Sequence, residues 1–233
     1  MKSRKIGLLL GDSRDAGSDK TIRQTNQYLT ALCGPNWFWV NGGVGGNTAA
    51  QGRTRWTNQF RNKFQDAYES VLVWMLDVNT LGAGSVTDNA TALAAATSAY
   101  ADAVSTINEA TGDGWKCIIC TGSPCNNYSG WASYKLVGQK TDADSYYNKV
   151  MATAIANCYI LDTYLLFQDQ ITANILAAGG ATGTTTIGST VIARRNYDTP
   201  SASGSTDHLH YNDNAHEDRA TAIWATLRLN GVL

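Results

Sequence analysis

Short apolar segments alternate along the chain with segments that carry helix signals. Alternation of this kind predicts an α/β fold, in which helices cover both faces of a parallel sheet. The predicted strands are residues 5–10, 37–40, 70–76, 115–121 and 159–162. Three predicted helices cover residues 19–32, 142–157 and 213–229. A fourth contains Trp56, Phe60 and Phe64, and a fifth is the Ala-rich stretch that begins at Thr87 or Asp88 and ends at about residue 110.

Two local patterns refine this prediction. Trp56, Phe60 and Phe64 are spaced by four residues, which places them on one stripe of a helix and favours a role in the core. The sequence Cys33-Gly34-Pro35 is a strong helix stop.

One segment breaks the alternation. Residues 179–206 are rich in Gly, Thr and Ser, and they contain two possible strands, 184–187 and 190–194, around Gly188-Ser189. We interpret the segment as a polar β-hairpin inserted into a single domain that spans residues 1–233. An insertion of this length in a compact domain often serves a function.

Composition narrows the class of protein. Hydrophobic residues make up 43% and charged residues 16%, with a net charge of -1. These values suit a folded globular protein and give no overall field that would attract nucleic acid.

No apolar run reaches the length of a membrane span. Residues 1–10 imitate the start of a signal peptide, but the apolar part is too short. We therefore expect a cytoplasmic protein, although a virion component or a trimmed secreted protein would fit the sequence equally well.

The five cysteines form no regular framework, which favours mostly free thiols. Cys117 and Cys120 have CxxC spacing, but the apolar residues around them predict a buried strand. A disulfide between Cys120 and Cys125, or one that involves Cys33, stays open.

Candidate chemistry begins where the first strand ends, at Gly11-Asp12-Ser13. Ligands of parallel α/β sheets collect at the carboxyl ends of strands, so Ser13 lies where a nucleophile is expected. Its backbone N–H, close to a helix start, could also donate to an oxyanion. The same tripeptide is equally compatible with an ordinary turn.

Polar groups also follow the second and third strands. Residues 41–48 (NGGVGGNT) form a glycine-rich loop whose backbone can approach a ligand closely, and it lacks the Lys-Ser/Thr ending of a phosphate loop. Asn79 follows the third strand and could donate a side-chain hydrogen bond.

Asp207 and His210 lie near the C-terminus, three positions apart. A serine hydroxyl needs a base, which is normally an imidazole held by a carboxylate. On one turn of loop or helix, Asp207 could orient His210 towards Ser13. His216 falls inside the last predicted helix, which favours a solvated or capping role.

This ordered set resembles the SGNH hydrolases, also called GDSL esterases. The first block is Gly11-Asp12-Ser13, and the second, NxGxxGxT, matches residues 41–48. The third, GxND, matches only at Asn79, and the last, DxxH, matches Asp207 and His210. The first block continues with Arg14-Asp15 where the family usually has an apolar residue, whereas Asp77 and Thr80 replace a glycine and an aspartate of the third block.

The resemblance implies a flavodoxin-like three-layer sandwich with a five-stranded parallel sheet and the chemistry of a serine esterase. It implies Ser13, Asp207 and His210 as the catalytic residues, and the Ser13 N–H, the Gly46 N–H and the Asn79 amide as the oxyanion hole. It implies no cofactor and no metal.

The substrate is less well defined by the sequence. The polar segment 179–206 and the Trp and Tyr content favour short-chain esters, in particular O-acetyl esters of carbohydrates, with Arg194, Arg195 and Tyr197 as candidate substrate-binding residues. A lipase or thioesterase of the same family is the alternative. We expect a small-molecule or polysaccharide ester as the partner, neither nucleic acid nor membrane, and an oligomeric state that the sequence leaves open.

Two other classes remain as alternatives. One is a metal-dependent hydrolase, whose zinc or manganese ligands would come from Asp207, His208, His210, Asp213 and His216. The other is a non-catalytic carbohydrate-binding module built on the esterase fold.

Overall fold

The computed structural model describes residues 4–16, 23–125, 131–167, 184–193, 198–200 and 206–233. For Asp15, Ala193, 198–200 and 206–211 it describes the backbone only. A parallel five-stranded sheet has the order β2-β1-β3-β4-β5. Its strands are β1 (Lys5–Gly11), β2 (Trp37–Asn41), β3 (Glu69–Met75), β4 (Lys116–Cys120) and β5 (Cys158–Leu161).

Helices connect these strands. They are α1 (Ser13–Ala16), α2 (Thr25–Cys33), α3 (Ala49–Arg55), α4 (Val78–Leu81), α5 (Asn89–Gly112), α6 (Ser133–Leu136), α7 (Tyr146–Met151), α8 (Thr163–Leu166) and α9 (Asp213–Leu229). Two π-helical turns, Trp56–Phe60 and Val137–Thr141, continue α3 and α6.

Alternate strand residues pack against the two helical layers, because successive side chains of a strand point to opposite faces. On one face, Leu9 and Val73 join the cluster that contains Leu29 of α2 and Ile223 of α9. On the other face, strand residues join a cluster with small residues of α5, Tyr146 of α7 and the aromatic side chains predicted to form a stripe. Trp56 is fully buried, and Phe60 and Phe64 pack against the same cluster, which confirms their core role.

The strand order fixes where a site can form. After β1 the chain adds β2 on one side, and β3 then pairs with the other side of β1. The switch point of the fold therefore lies between the carboxyl ends of β1 and β3, where ligands of such sheets bind. The fold class predicted from the sequence is confirmed.

Two antiparallel strand pairs lie between residues 184 and 211 in the described part of the chain. β6 (Thr184–Ile187) and β7 (Thr190–Ala193) form the predicted antiparallel hairpin. β8 (Asp198–Pro200) pairs with β9 (Thr206–Tyr211), and this second pair was not predicted.

The predicted helix over residues 142–157 is wrong in its extent. The side chain of Ser145 accepts a hydrogen bond from the N–H of Asn148, so helix α7 begins only after Ser145 and ends at Met151. Asp142 instead forms a turn in which its carboxylate accepts from the N–H of Asp144. The α2 prediction also begins too early, because Arg23 and Gln24 precede the helix.

All five cysteines are free thiols. Cys117 and Cys120 are buried in β4, which confirms the interpretation of the CxxC spacing. Among the helices that the structure describes, none is long and apolar enough to cross a membrane.

Candidate active site

Ser13 is the first residue of α1 and lies two residues after Gly11, at the carboxyl end of β1. The N–H of Ala16 donates to the carbonyl of Asp12 over 2.9 Å, which closes the turn behind Ser13. Ser13 is half-buried, so part of it faces solvent at the switch point of the sheet.

The glycine-rich loop lies beside Ser13. The N–H of Val44 donates to the carbonyl of Gly11 over 3.2 Å, which ties the loop to the end of β1. A Cβ built on Gly45 would lie 3.9 Å from Cβ of Ser13. Gly46 has a φ of 75°, and the N–H of Asn47 donates to the carbonyl of Val44 across it. A turn with positive φ at its third residue requires glycine there, so Gly46 is fixed by backbone geometry.

Asn79 lies in α4, the first helix after β3. Its side-chain amide donates to the backbone carbonyl of Asn47 over 3.1 Å. The hydroxyl of its neighbour Thr80 accepts from the N–H of Ala49 over 3.0 Å, at the start of α3. Two consecutive side chains, those of Asn79 and Thr80, therefore hold the end of the glycine-rich loop and the start of α3 in place.

A buried ion cluster lies beneath these loops. The guanidinium of Arg14 donates to both oxygens of Asp12 over 3.2 and 3.0 Å, and to Oδ1 of Asp77 over 2.6 Å. The exposed fractions of Asp12, Arg14 and Asp77 are 0%, 4% and 2%. Burial raises the pKa of Asp77, because desolvation outweighs the attraction of Arg14.

Gly122 makes room for this cluster. It follows β4 with a φ of 85°, and a Cβ at this position would lie 2.3 Å from Oδ2 of Asp77. Its carbonyl accepts from the hydroxyl of Thr163 over 2.9 Å. The Asp77 carboxylate can therefore keep its position only if residue 122 has no side chain.

Arg55 ties the ends of the first two strands together. Its guanidinium donates to the carbonyl of Gly42 and, over 3.0 Å, to the carbonyl of Gly11. Burial lowers the pKa of Arg55, and Asp12 partly opposes that effect.

Asp207 and His210 lie in β9, a strand rather than the loop or helix turn expected from the sequence. The backbone of β9 lies against α1, the helix that starts with Ser13. The side chains of both residues are outside the described part of the structure, so their roles stay predictions. The same holds for Arg194, Arg195 and Tyr197, which lie outside the described residues.

His216 is not solvated, which corrects the sequence interpretation. It is 3% exposed, and its Nδ1 lies 2.9 Å from the hydroxyl of Thr25. The helix cap is Asn212 instead. Burial, followed by repulsion from Arg219, lowers the pKa of His216 to about 3.

The metal-site alternative drew on two residues of α9. The carboxylate of Asp213 accepts from the hydroxyl of Tyr28 over 2.9 Å and from the N–H of Arg23. His216 faces Thr25 in the interior. In the described part of the chain no group of His, Cys, Asp and Glu has a metal-binding arrangement.

A groove of about 450 Å³ has Thr48 and Thr80 in its lining, the residues that follow Asn47 and Asn79 in the sequence. Thr48 and Thr80 form its near end, and it continues between α3 and α5 over small side chains that include Ala50, Ala94, Ala95, Ser85, Ser98 and Thr91.

Several solved structures share this fold. An acetyl xylan esterase, AlAXEase, has a TM-score of 0.63 at 16% identity, over 94% of this chain and 98% of that chain. A lipase/acylhydrolase from Enterococcus faecalis has a TM-score of 0.57 at 16% identity, over 97% and 96% of the two chains. A lipolytic protein of the G-D-S-L family from Veillonella parvula DSM 2008 has a TM-score of 0.59 at 17% identity, over 99% and 100%. No protein-family model matches the sequence, and neither does any curated protein.

These likenesses establish the fold, which is the α/β fold of the SGNH, or GDSL, hydrolases, as the resemblance in sequence predicts.

Sequence reasoning missed the ion cluster and Arg55. Arg14 and Asp77 were recognised only as two separate departures from the SGNH pattern. A signal was nevertheless present: the two departures carry opposite charges at positions where the family has an apolar residue and a glycine.

Proposed function

We propose that this protein is a serine esterase in which Ser13 is the nucleophile, His210 the general base and Asp207 the carboxylate that orients His210. One observation carries the proposal. The segments that follow β1, β2 and β3 converge at the switch point, where Gly45 lies beside Ser13 and Asn79 is bonded to the adjacent loop.

The reaction follows from these roles. His210 takes the proton of Ser13 as Oγ attacks the ester carbonyl carbon, and the tetrahedral oxyanion accepts hydrogen bonds from the N–H groups of Ser13 and Gly46 and from the Asn79 amide. The carbon–oxygen bond to the alcohol breaks, and the alcohol leaves with the proton from His210. Water, deprotonated by His210, then hydrolyses the acyl-enzyme and restores Ser13.

We further propose short acyl esters of carbohydrates as the substrate class, with O-acetyl groups first. The groove that begins at Thr48 and Thr80 supports this choice, because its described lining consists of threonine, serine and alanine residues with Val86 and Asp102, and it holds no aromatic or long apolar side chain of the kind that binds an acyl chain. The similar fold of an acetyl xylan esterase is consistent with it. Arg194, Arg195 and Tyr197 remain the proposed contacts to the alcohol part of the substrate.

The test is hydrolysis of p-nitrophenyl esters from acetate to octanoate, and of acetylated xylan, by the full chain. We expect the acetate to be the best of the series and acetyl release from xylan to be detectable. Ser13→Ala should lower kcat by at least about 10³-fold. Ser133→Ala, which removes an exposed hydroxyl on α6, is the control and should behave as wild type.

Equal rates for wild type and Ser13→Ala would refute the esterase. A preference for octanoate with no release from xylan would indicate a lipase, and xylan binding without hydrolysis would indicate a binding module. Loss of activity on chelation, with Ser13→Ala still active, would indicate the metal-dependent alternative.

A further inference from the structure

The ion cluster joins the two segments that carry the proposed nucleophile and one proposed oxyanion donor. Arg14 is the residue after Ser13, and Asp77 is two residues before Asn79. The contact between their side chains, 2.6 Å from Nη2 to Oδ1, therefore connects the start of α1 to the start of α4.

The geometry of this contact is restricted. The planar guanidinium places two donors on Asp12 and a third bond on Asp77, so it cannot rotate without losing one of them. The backbone N–H of Arg14 also donates to Oδ1 of Asp12 over 2.9 Å, which fixes the main chain on either side of Ser13.

Burial makes the cluster sensitive to change. A buried charge whose partner is removed is strongly destabilising, whereas an ion pair replaced as a whole by neutral groups can be tolerated. Asp77 therefore depends on Arg14, since without it Asp77 would be a buried carboxylate that has lost its cation, whereas Arg14 without Asp77 would still pair with Asp12.

We propose that Arg14 is a positioning residue, which acts through Asp77 to hold Ser13 and Asn79 at the separation that lets both bind the same oxyanion. This inference rests on the proposed esterase function. Arg14 is 4% exposed, so we expect its effect to reach the reaction through the placement of its neighbours rather than through contact with the substrate. Because the oxyanion exists only after attack, loss of this placement should lower kcat and leave KM nearly unchanged.

The test compares Arg14→Leu/Asp77→Gly, which carries the family residue types at both positions, with Arg14→Lys and the wild type. We measure kcat and KM for p-nitrophenyl acetate, together with urea unfolding. We expect the double variant to fold with a lower urea midpoint than the wild type, because Asp12 stays buried without the Arg14 guanidinium. Its kcat should be at least tenfold lower, roughly the loss expected from a misplaced donor, and its KM within about threefold. Arg14→Lys keeps the charge but not the planar fork, so its kcat should also fall about tenfold.

Arg61→Ala is the matched control. Arg61 also pairs with two carboxylates, those of Glu109 and Asp113, but at the surface and at the other end of the sheet. Its kcat and KM should equal those of the wild type. A loss of activity in Arg61→Ala equal to that in the double variant would contradict a specific role for Arg14.

Wild-type kcat in a folded double variant would overturn the proposal, because the cluster would then be only structural. If the double variant does not fold, wild-type kcat in Arg14→Lys overturns it instead. Comparison of wild type with Ser13→Ala distinguishes failure of the proposed function from failure of this role. If hydrolysis does not depend on Ser13, the proposed esterase function fails and the role of Arg14 fails with it. If hydrolysis does depend on Ser13, the kcat values of the Arg14 variants test only the role of Arg14.

Discussion

The side-chain amide of Asn79 donates a hydrogen bond to the backbone carbonyl of Asn47 over 3.1 Å. An amide nitrogen carries two N–H groups, so this bond uses one and leaves the second for another acceptor. Asn47 follows Gly46, the proposed backbone donor of the oxyanion hole. One side chain can therefore both supply a donor and fix the loop that supplies another.

We predict that Asn79→Ala lowers kcat for p-nitrophenyl acetate by about 10²- to 10³-fold, the usual loss for one oxyanion donor. Asn79→Asp should be at least as damaging, because a carboxylate would face both the carbonyl of Asn47 and the oxyanion. Steady-state kinetics on the purified variants measure both effects. Asn62→Ala, which changes an exposed asparagine, should match the wild type. An Asn79→Ala enzyme with wild-type kcat would remove Asn79 from the oxyanion hole.

We predict that Arg55→Ala destabilises the protein by about 2–4 kcal/mol, because two carbonyls lose a charged donor, each such bond contributing about 1.5–3 kcal/mol before relaxation. The lost bonds join Gly11 to Gly42, so kcat should fall as well. Urea unfolding and kinetics check the two effects. Arg53→Ala is the matched control on the same helix: its side chain is 44% exposed and 3.6 Å from the carboxylate of Asp102. Exposed pairs contribute at most about 1 kcal/mol, so an equal loss in both variants would contradict the prediction.

Much of the fold could be predicted from the sequence because local signals agreed with the final packing. All five strands of the central sheet are close to their predicted positions, since each is a short apolar run that both helical layers bury. Helix α5 was expected to be capped by Thr87 or Asp88; the cap is Asp88, whose carboxylate accepts from the N–H of Thr91. The errors in helix bounds occur where a capping residue or a turn, rather than local composition, decides where the helix begins, as at Ser145 in front of α7.

Less of the candidate site than of the fold could be predicted from the sequence. Motif spacing could indicate Ser13 and Asn79, because each lies within four residues of the end of a strand. It could not indicate that Arg14 and Asp77 meet, since 63 positions separate them and only the pairing of β1 with β3 brings them together. The environment of His216 was misjudged for a similar reason, because its partner Thr25 lies on α2, 191 positions away.

We predict that Gly122→Ala lowers the free energy of unfolding by about 1–3 kcal/mol, the usual range for a residue forced into a sparsely populated backbone region. The added methyl would also displace the Asp77 carboxylate from Arg14, so kcat should fall in parallel. Gly112→Ala is the control, because a Cβ there meets nothing within 4 Å and Gly112 does not have a positive φ, so its free energy of unfolding should stay close to that of the wild type. Equal stability of the two variants in urea would contradict this account of Gly122.

Finally, His216 should make stability depend on pH. Its pKa is lowered in the folded protein from 6.5 to about 3, first by burial and then by Arg219, so folding favours the neutral ring. The stabilisation is therefore present above the unfolded-state pKa and is lost as the pH falls from 6.5 towards 3. The slope in that window is about 1.4 kcal/mol per pH unit, which gives a loss of about 3 kcal/mol by roughly pH 4.

The measurement is the free energy of unfolding in urea between about pH 7 and pH 4 for the wild type and for His216→Gln. Glutamine keeps a polar group near Thr25 but does not titrate, while the other acidic and basic groups are common to both proteins and largely cancel in the difference. We expect the wild type to be the more stable protein at the upper end of this range and to lose that advantage steadily on acidification. Parallel pH profiles would show that His216 has the same proton affinity in the folded and unfolded chains, contrary to its burial against α2.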